Sequence, residues 1–170
     1  MPAGVSAWTP LANITLASTA NTVTFSSISG AYKDLRLVLV GGAAGTGGGG
    51  CRYTINSDTS STYLWATAEG NGSAATSAWN GNSYVEIYNN YQLMGYDTTT
   101  NTIVTMDFLD YSTTDKHKTI LTRGNNAVRP ATNMMAVRWP STAAINTISF
   151  SAVSGHFIVG STFALYGVSA

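Results

Sequence analysis

Charge is scarce in this 170-residue chain. Asp, Glu, Lys and Arg together make up 9% of it, against about 25% in ordinary soluble domains. The eight basic and eight acidic residues cancel. Such a chain has no electrostatic footprint for nucleic acid or for an anionic membrane, and little charge to hold copies of itself apart. Glu, Lys and Gln, all strong helix formers, are few. The single cysteine, Cys51, excludes an internal disulfide, and the framework typical of small extracellular proteins is missing. One Cys and two distant histidines, His117 and His156, offer no zinc-ligand spacing. No run approaches the roughly 18 apolar residues of a membrane helix. The opening stretch MPAGVSAWTPLANITL has no Lys or Arg and no apolar core, so no Sec signal is expected. Asn13-Ile14-Thr15 and Asn71-Gly72-Ser73 match the glycosylation pattern and are read as chance.

Ser, Thr and Asn replace the missing charge, at 18, 24 and 13 residues. Thr suits a pleated, half-buried surface, while Asn and Ser suit turns. Strand-like runs recur at 22–28, 34–40, 51–56, 62–66, 83–88, 101–109, 118–123, 134–139, 145–151 and 161–168, with turn clusters between nearly all of them. The run 34–40 begins by alternating and ends fully apolar, which predicts a central strand. No window keeps a helical apolar stripe. About ten short strands predict an all-β fold, an antiparallel β-sandwich or a barrel. The longest interval without a predicted strand is 67–82, a small-residue loop carrying Trp79. Residues 1–20 read equally as a docking arm or as a first strand at 11–16, with the sandwich domain occupying 21–170.

The stretch LVLVGGAAGTGGGGCRY holds seven glycines in residues 41–50, and Gly45, Gly47 and Gly50 fit G-x-G-x-x-G. A dinucleotide loop works by delivering pyrophosphate to a helix N-terminus. Here two predicted strands follow instead of a helix. A P-loop would end in Gly-Lys-Ser/Thr, which is absent. The expectation is a mobile, exposed connection, or one pinned by a neighbouring subunit, with no nucleotide and no other cofactor.

Other chemistry is thin. A Ser/His/Asp triad need not be local in sequence, but no G-x-S-x-G marks a nucleophile, and both histidines read as turn or strand residues. Cys51 beside Arg52 reads as a buried thiol rather than a reactive one. Residues 56–60, NSDTS, place oxygens at alternate positions without the Glu that completes an EF-hand, so no metal is expected. Asp107, Asp110 and Asp115, beside Lys116, Lys118 and Arg123, read as a surface ion-pair patch. The aromatic residues Trp65, Trp79, Tyr84, Tyr88, Tyr91 and Tyr96 could stack on sugar rings or pack in a core or subunit interface.

Three segments carry a resemblance. Tyr32 to Leu39 (YKDLRLVL), Asp107 to Thr119 (DFLDYSTTDKHKT) and Ala144 to Val168, which contains GSTFALYGV, resemble structural proteins of tailed bacteriophages with a C-terminal GSTF-x-LYG signature. Arg52 to Trp65, with Asn56-Ser57-Asp58 followed by Tyr63, resembles their FNGD-x-x-x-NY segment. The resemblance covers most of the chain from about residue 22, but not the glycine loop or residues 67–100. It implies a jelly-roll-like sandwich, a homotrimer with no catalytic motif, and a virion component made in the bacterial cytoplasm. Its partners would be copies of itself and the major capsid protein or another virion protein. Capsid decoration is the first expectation. A tail-fibre or head-fibre module binding host surface glycan is the second, and a hydrolase such as a depolymerase is a distant third.

Overall fold

Successive side chains on a strand point to opposite faces, and the burial record of this chain follows that rule with few breaks. In the computed structural model, residues 7–45, 50–60, 62–87, 102–126 and 131–169 are described. They form β1 (Trp8–Thr15), β2 (Thr22–Phe25), β3 (Asp34–Gly41), β4 (Ala43–Ala44), β5 (Cys51–Ile55), β6 (Tyr63–Gly70), β7 (Ala75–Asn82), β8 (Val85–Ile87), β9 (Thr102–Leu109), β10 (Lys118–Asn126), β11 (Ala131–Trp139), β12 (Ile148–Ala152), β13 (His156–Phe157) and β14 (Thr162–Val168). Among the described residues no helix is long and apolar enough to cross a membrane.

The expected antiparallel β-sandwich is the fold. Its sheets are unequal, with eight strands in the order β1-β14-β3-β9-β10-β11-β6-β7 facing four in the order β2-β12-β5-β8. A short β13-β4 ladder adds a third pairing. The inner face of the large sheet supplies Leu35, Leu37 and Leu39 from β3, Val104, Met106 and Phe108 from β9, and Phe163 and Leu165 from β14. The small sheet answers with Val23, Phe25, Tyr53, Ile55, Ile148 and Phe150. Rings bridge the two layers. Tyr53 meets Phe108 edge-on at 6.3 Å, and Phe150 meets Phe163 at 5.7 Å. Full burial of one such side chain contributes about 1.5–3 kcal/mol.

A turn fastens one end of the sandwich. Asn56 and Ser57 take left-handed backbone angles. The Asn56 side chain accepts from the Asn146 and Thr147 amides and donates to the Ala144 carbonyl at 2.7 Å. Asp58 Oδ2 accepts from the Trp139 indole N–H at 2.8 Å. The Tyr63 hydroxyl accepts from the Ile55 amide at 3.0 Å, and its ring stacks on Trp139. The side-chain oxygens of Asn56 and Asp58 are thus used in holding the turn.

Several sequence expectations need correction. The interval 67–82 is not a loop: β6 continues to Gly70, and β7 occupies Ala75–Asn82. Its side chains are exposed almost throughout, so no alternation marked it as a strand. Pairing with β6 holds it, through a turn in which Asn71 Oδ1 accepts from the Ser73 and Ala74 amides. The described part of the glycine loop is not exposed either. Gly41, Gly42, Ala43 and Gly50 are buried, because Ser161 of β14's approach packs against Gly41 and bonds to Gly42. Residues 46–49 lie outside the described residues. The first segment is a strand, β1, paired with β14.

The segments behind the phage resemblance touch one another. A Cβ added to Gly167, the glycine of LYG, would lie 2.4 Å from the Tyr32 ring of YKDL. Arg36 pairs with Asp107, and Lys33 with Asp110, so YKDLRL and DFLD are ionically joined. Replacing Gly167 by Ala should cost about 1–3 kcal/mol by overpacking. Because the clash is with one ring, adding Tyr32→Ala should recover much of that loss. Urea unfolding of the two single variants and the double variant checks this. Additive losses would contradict the contact.

Candidate interaction surface

Because the register is continuous, one row of side chains can be followed across the outer face of the large sheet. It runs Tyr166, Arg36, Asp107, Leu121, Ala136, Ala66 and Trp79, each directly opposite the next. Parallel rows add Trp8, Leu109 and Leu64 on one side and Ile103 and Met134 on the other. Among the described residues eight large apolar side chains are exposed: Trp8, Leu64, Trp79, Ile103, Leu109, Leu121, Met134 and Val159. The first seven share this one face. Solvent-facing sheet surfaces ordinarily alternate to polar residues, so such concentration makes this face the candidate interaction surface.

The face is divided. Over β10, β11, β6 and β7 it sinks into two depressions, of about 320 and 460 Å³, that share Ala66 and Ala136 in their floor. Three alanines on adjacent strands, Ala66, Ala68 and Ala136, leave room where longer side chains would fill it. Leu121 and Met134 (66% exposed) stand around one depression, and Leu64 and Trp79 (81% exposed) around the other. Arg123 and Arg138 are the positive charges here, and Asp107 lines the first depression together with Arg123. Arg123 donates to Thr105 Oγ1 at 3.0 Å, and Arg138 lies 2.8 Å from His117 Nδ1. Neither forms an ion pair with a carboxylate among the described residues.

Over β1, β14, β3 and β9 the face differs. Arg36 pairs with Asp107 and lies 4.4 Å over the Trp8 ring, and Trp8 contacts Tyr166 at 5.9 Å. Asp34 Oδ1 accepts from the Asp110 amide at 2.7 Å.

The aromatic residues singled out from sequence do not form one cluster. Trp65 (6% exposed) points into the core, while Trp79, one strand away, stands on the opposite face. Tyr84 lies with its ring 5.0 Å from the Arg52 guanidinium, beside the small sheet. Tyr88, Tyr91 and Tyr96 lie outside the described residues. Sequence reasoning missed Leu121 and Met134. Both sit in short apolar runs, and only register shows which member of each run faces out.

The remaining candidates resolve into structural roles. Cys51 is buried, and burial pushes its thiol far above the ordinary range. The acidic patch is an ion-pair cluster in part: Asp110 binds Lys33 and Lys116, and Asp115 lies 3.7 Å from Lys116. Lys118 departs from that reading. It is buried, and its ammonium donates to the carbonyls of Thr113, Lys116 and Thr142 at 2.6, 3.1 and 3.3 Å. That uses all three of its donors. Loss of hydration at this site pushes its pKa down. Among the described residues no three His, Cys, Asp or Glu side chains gather as a metal site.

Hydrogen bonds from Lys33 and then Lys116 hold the Asp110 carboxyl below its ordinary pKa. A depressed carboxyl stabilises the fold above its unfolded pKa and loses that contribution as pH falls through the native value. The urea midpoint of Asp110→Asn should therefore sit below that of the parent at neutral pH. The gap should close as pH drops below about 4. A gap unchanged down to pH 2.5 would contradict the ion pairs.

Comparison of the chain with protein-family models, with curated proteins and with solved structures gives no match.

Proposed function

We propose that this chain is a non-enzymatic structural component of a tailed-phage virion, acting as a homotrimer that decorates and cements the capsid. The observation that carries the reading is the outer face of the large sheet, which among the described residues gathers seven of the eight exposed large apolar side chains. A face of that kind is built to be covered by protein. The edge of the same sheet supports it. Free edges are usually guarded by charge, proline or a bulge. β1 has Pro10 and a register shift beside it, whereas β7, ATSAWNGN, has no charge, no proline and an unbroken register. The motif resemblance supplies the setting, and its segments form the coupled centre of the sheet. In this role the protein works mechanically: a rigid sandwich presents a weakly charged surface, and little desolvation opposes its burial.

Particles lacking the protein should lose DNA at lower temperature and lower salt than complete particles. Cryo-electron microscopy of complete particles should show regular density for this chain over the shell. Equal resistance, with no shell density, would remove the decoration role.

Trp79 favours one second reading, a fibre module that binds host glycan. Its exposed ring, with Leu64, Ala66 and Arg138 around the same depression, is a surface on which a sugar could stack. Under that reading a glycan array should show binding that Trp79→Ala reduces at least tenfold. Density confined to the tail would support it.

A further inference from the structure

We propose that Asn80 is a site of spontaneous covalent modification, losing its side-chain amide in the folded chain through attack by the Gly81 backbone nitrogen. The site lies within β7 and stands whether or not the chain is a virion component. Asn–Gly occurs twice in the sequence, at 71–72 and 80–81. That pair is the most open to this reaction, because glycine has no Cβ to obstruct its nitrogen and a permissive backbone.

Geometry separates the two pairs. Gly81 N donates to Asn80 Oδ1 at 2.8 Å. The carbonyl carbon is one C=O bond from that oxygen, so the nitrogen lies at most about 4 Å from it, against about 3–3.5 Å in a near-attack contact. Asn80 is also exposed, so water and hydroxide reach it. At Asn71 the side-chain oxygen is held instead by the Ser73 and Ala74 amides, at 2.9 and 2.8 Å, which lie beyond Gly72. Asn82 repeats the Asn80 geometry, with Ser83 N donating to its Oδ1 at 2.8 Å, but Ser83 carries a Cβ. Packing keeps the glycine at 81. A Cβ there would lie 2.8 Å from Leu64 Cδ2 and 3.1 Å from the Tyr63 carbonyl oxygen.

The chemistry needs only water. Hydroxide removes the Gly81 amide proton. The nitrogen bonds to Asn80 Cγ as the Cγ–Nδ2 bond breaks, and Nδ2 leaves as ammonia with a proton from water. The resulting succinimide ring takes up one water. Opening at Cγ gives aspartate, and opening at the backbone carbonyl gives isoaspartate. Nothing is oxidised or reduced: one water enters and one ammonia leaves. Either product sets a carboxylate on a strand that has no charge, beside Trp79 and Arg138, which line the same depression as Asn80. Charge is one of the devices that guard a free sheet edge, so the reaction supplies β7 with a guard it lacks. Isoaspartate also adds a carbon to the main chain, which breaks the register opposite Leu64.

The test is incubation of the purified full chain at mildly alkaline pH, folded and in concentrated urea, with mass spectrometry of chymotryptic peptides to follow each asparagine. In the folded chain Asn80 should react about tenfold or more faster than Asn71, the effect of near-attack placement. In urea, where only the shared Asn–Gly sequence counts, the two rates should become equal. Gly81→Ala, checked for folding by circular dichroism, should slow Asn80 to the rate of Asn82 and leave Asn71 unchanged. An Asn80 that stays intact in the folded chain, or reacts no faster there than Asn71, overturns the proposal. So does a folded Gly81→Ala chain in which Asn80 reacts as fast as in the parent. The comparison of folded chain with urea holds by itself if that variant does not fold.

Discussion

Alternation along the strand forces the eight-stranded sheet to hide one face and show the other, and the sandwich follows from how that is met. The strands β3, β9 and β14 commit Leu, Val, Met and Phe to one side. That apolar surface is stable only when covered, so the small sheet and the turn at Asn56–Asp58 are recruited over it. The outward side is then what the protein offers to its surroundings. In most antiparallel sandwiches that side is polar. Here it carries Trp79, Leu64, Leu121 and Met134. The low charge of the sequence and the apolar outer face express one property, a surface with little hydration to lose.

The segments that carry the resemblance are coupled in space. YKDL, DFLD and LYG are far apart in sequence, yet β14, β3 and β9 are neighbours in the sheet. Gly167 leaves room for the Tyr32 ring, Arg36 and Lys33 reach the aspartates of the next strand, and Lys118 gathers three carbonyls behind them. A change in one segment alone would leave a clash, an unpaired charge or an unfilled space. The three segments therefore form one packing unit.

The strands that pack against the core were legible in the sequence, because burial imposes a period of two. DLRLVLV, TIVTMDFL and TFALYGV show it directly. β7 was illegible for the same reason. With little of it buried, nothing selects apolar residues at alternate positions, and only its hydrogen bonds to β6 make it a strand. The candidate surface was harder still. Trp65 and Trp79 look alike in sequence, and whether each faces core or solvent depends on strand register, which local sequence does not fix. Leu121 and Met134 lie in apolar runs where register alone separates the outward side chain from the inward one. The sequence already reads Cys51 as a buried thiol, whereas the indole that bonds Asp58 comes from 81 residues away and is invisible in it.

One feature of the strand order bears on timing. β14 does not sit at an edge: it lies between β1 and β3, pairing with both. During synthesis, β1 has no partner in the large sheet until residues 162–168 have emerged from the ribosome. The Trp8–Tyr166 contact on the outer face cannot form before then. A chain that stops short of β14 leaves β1 without its partner strand and β3 with one open side.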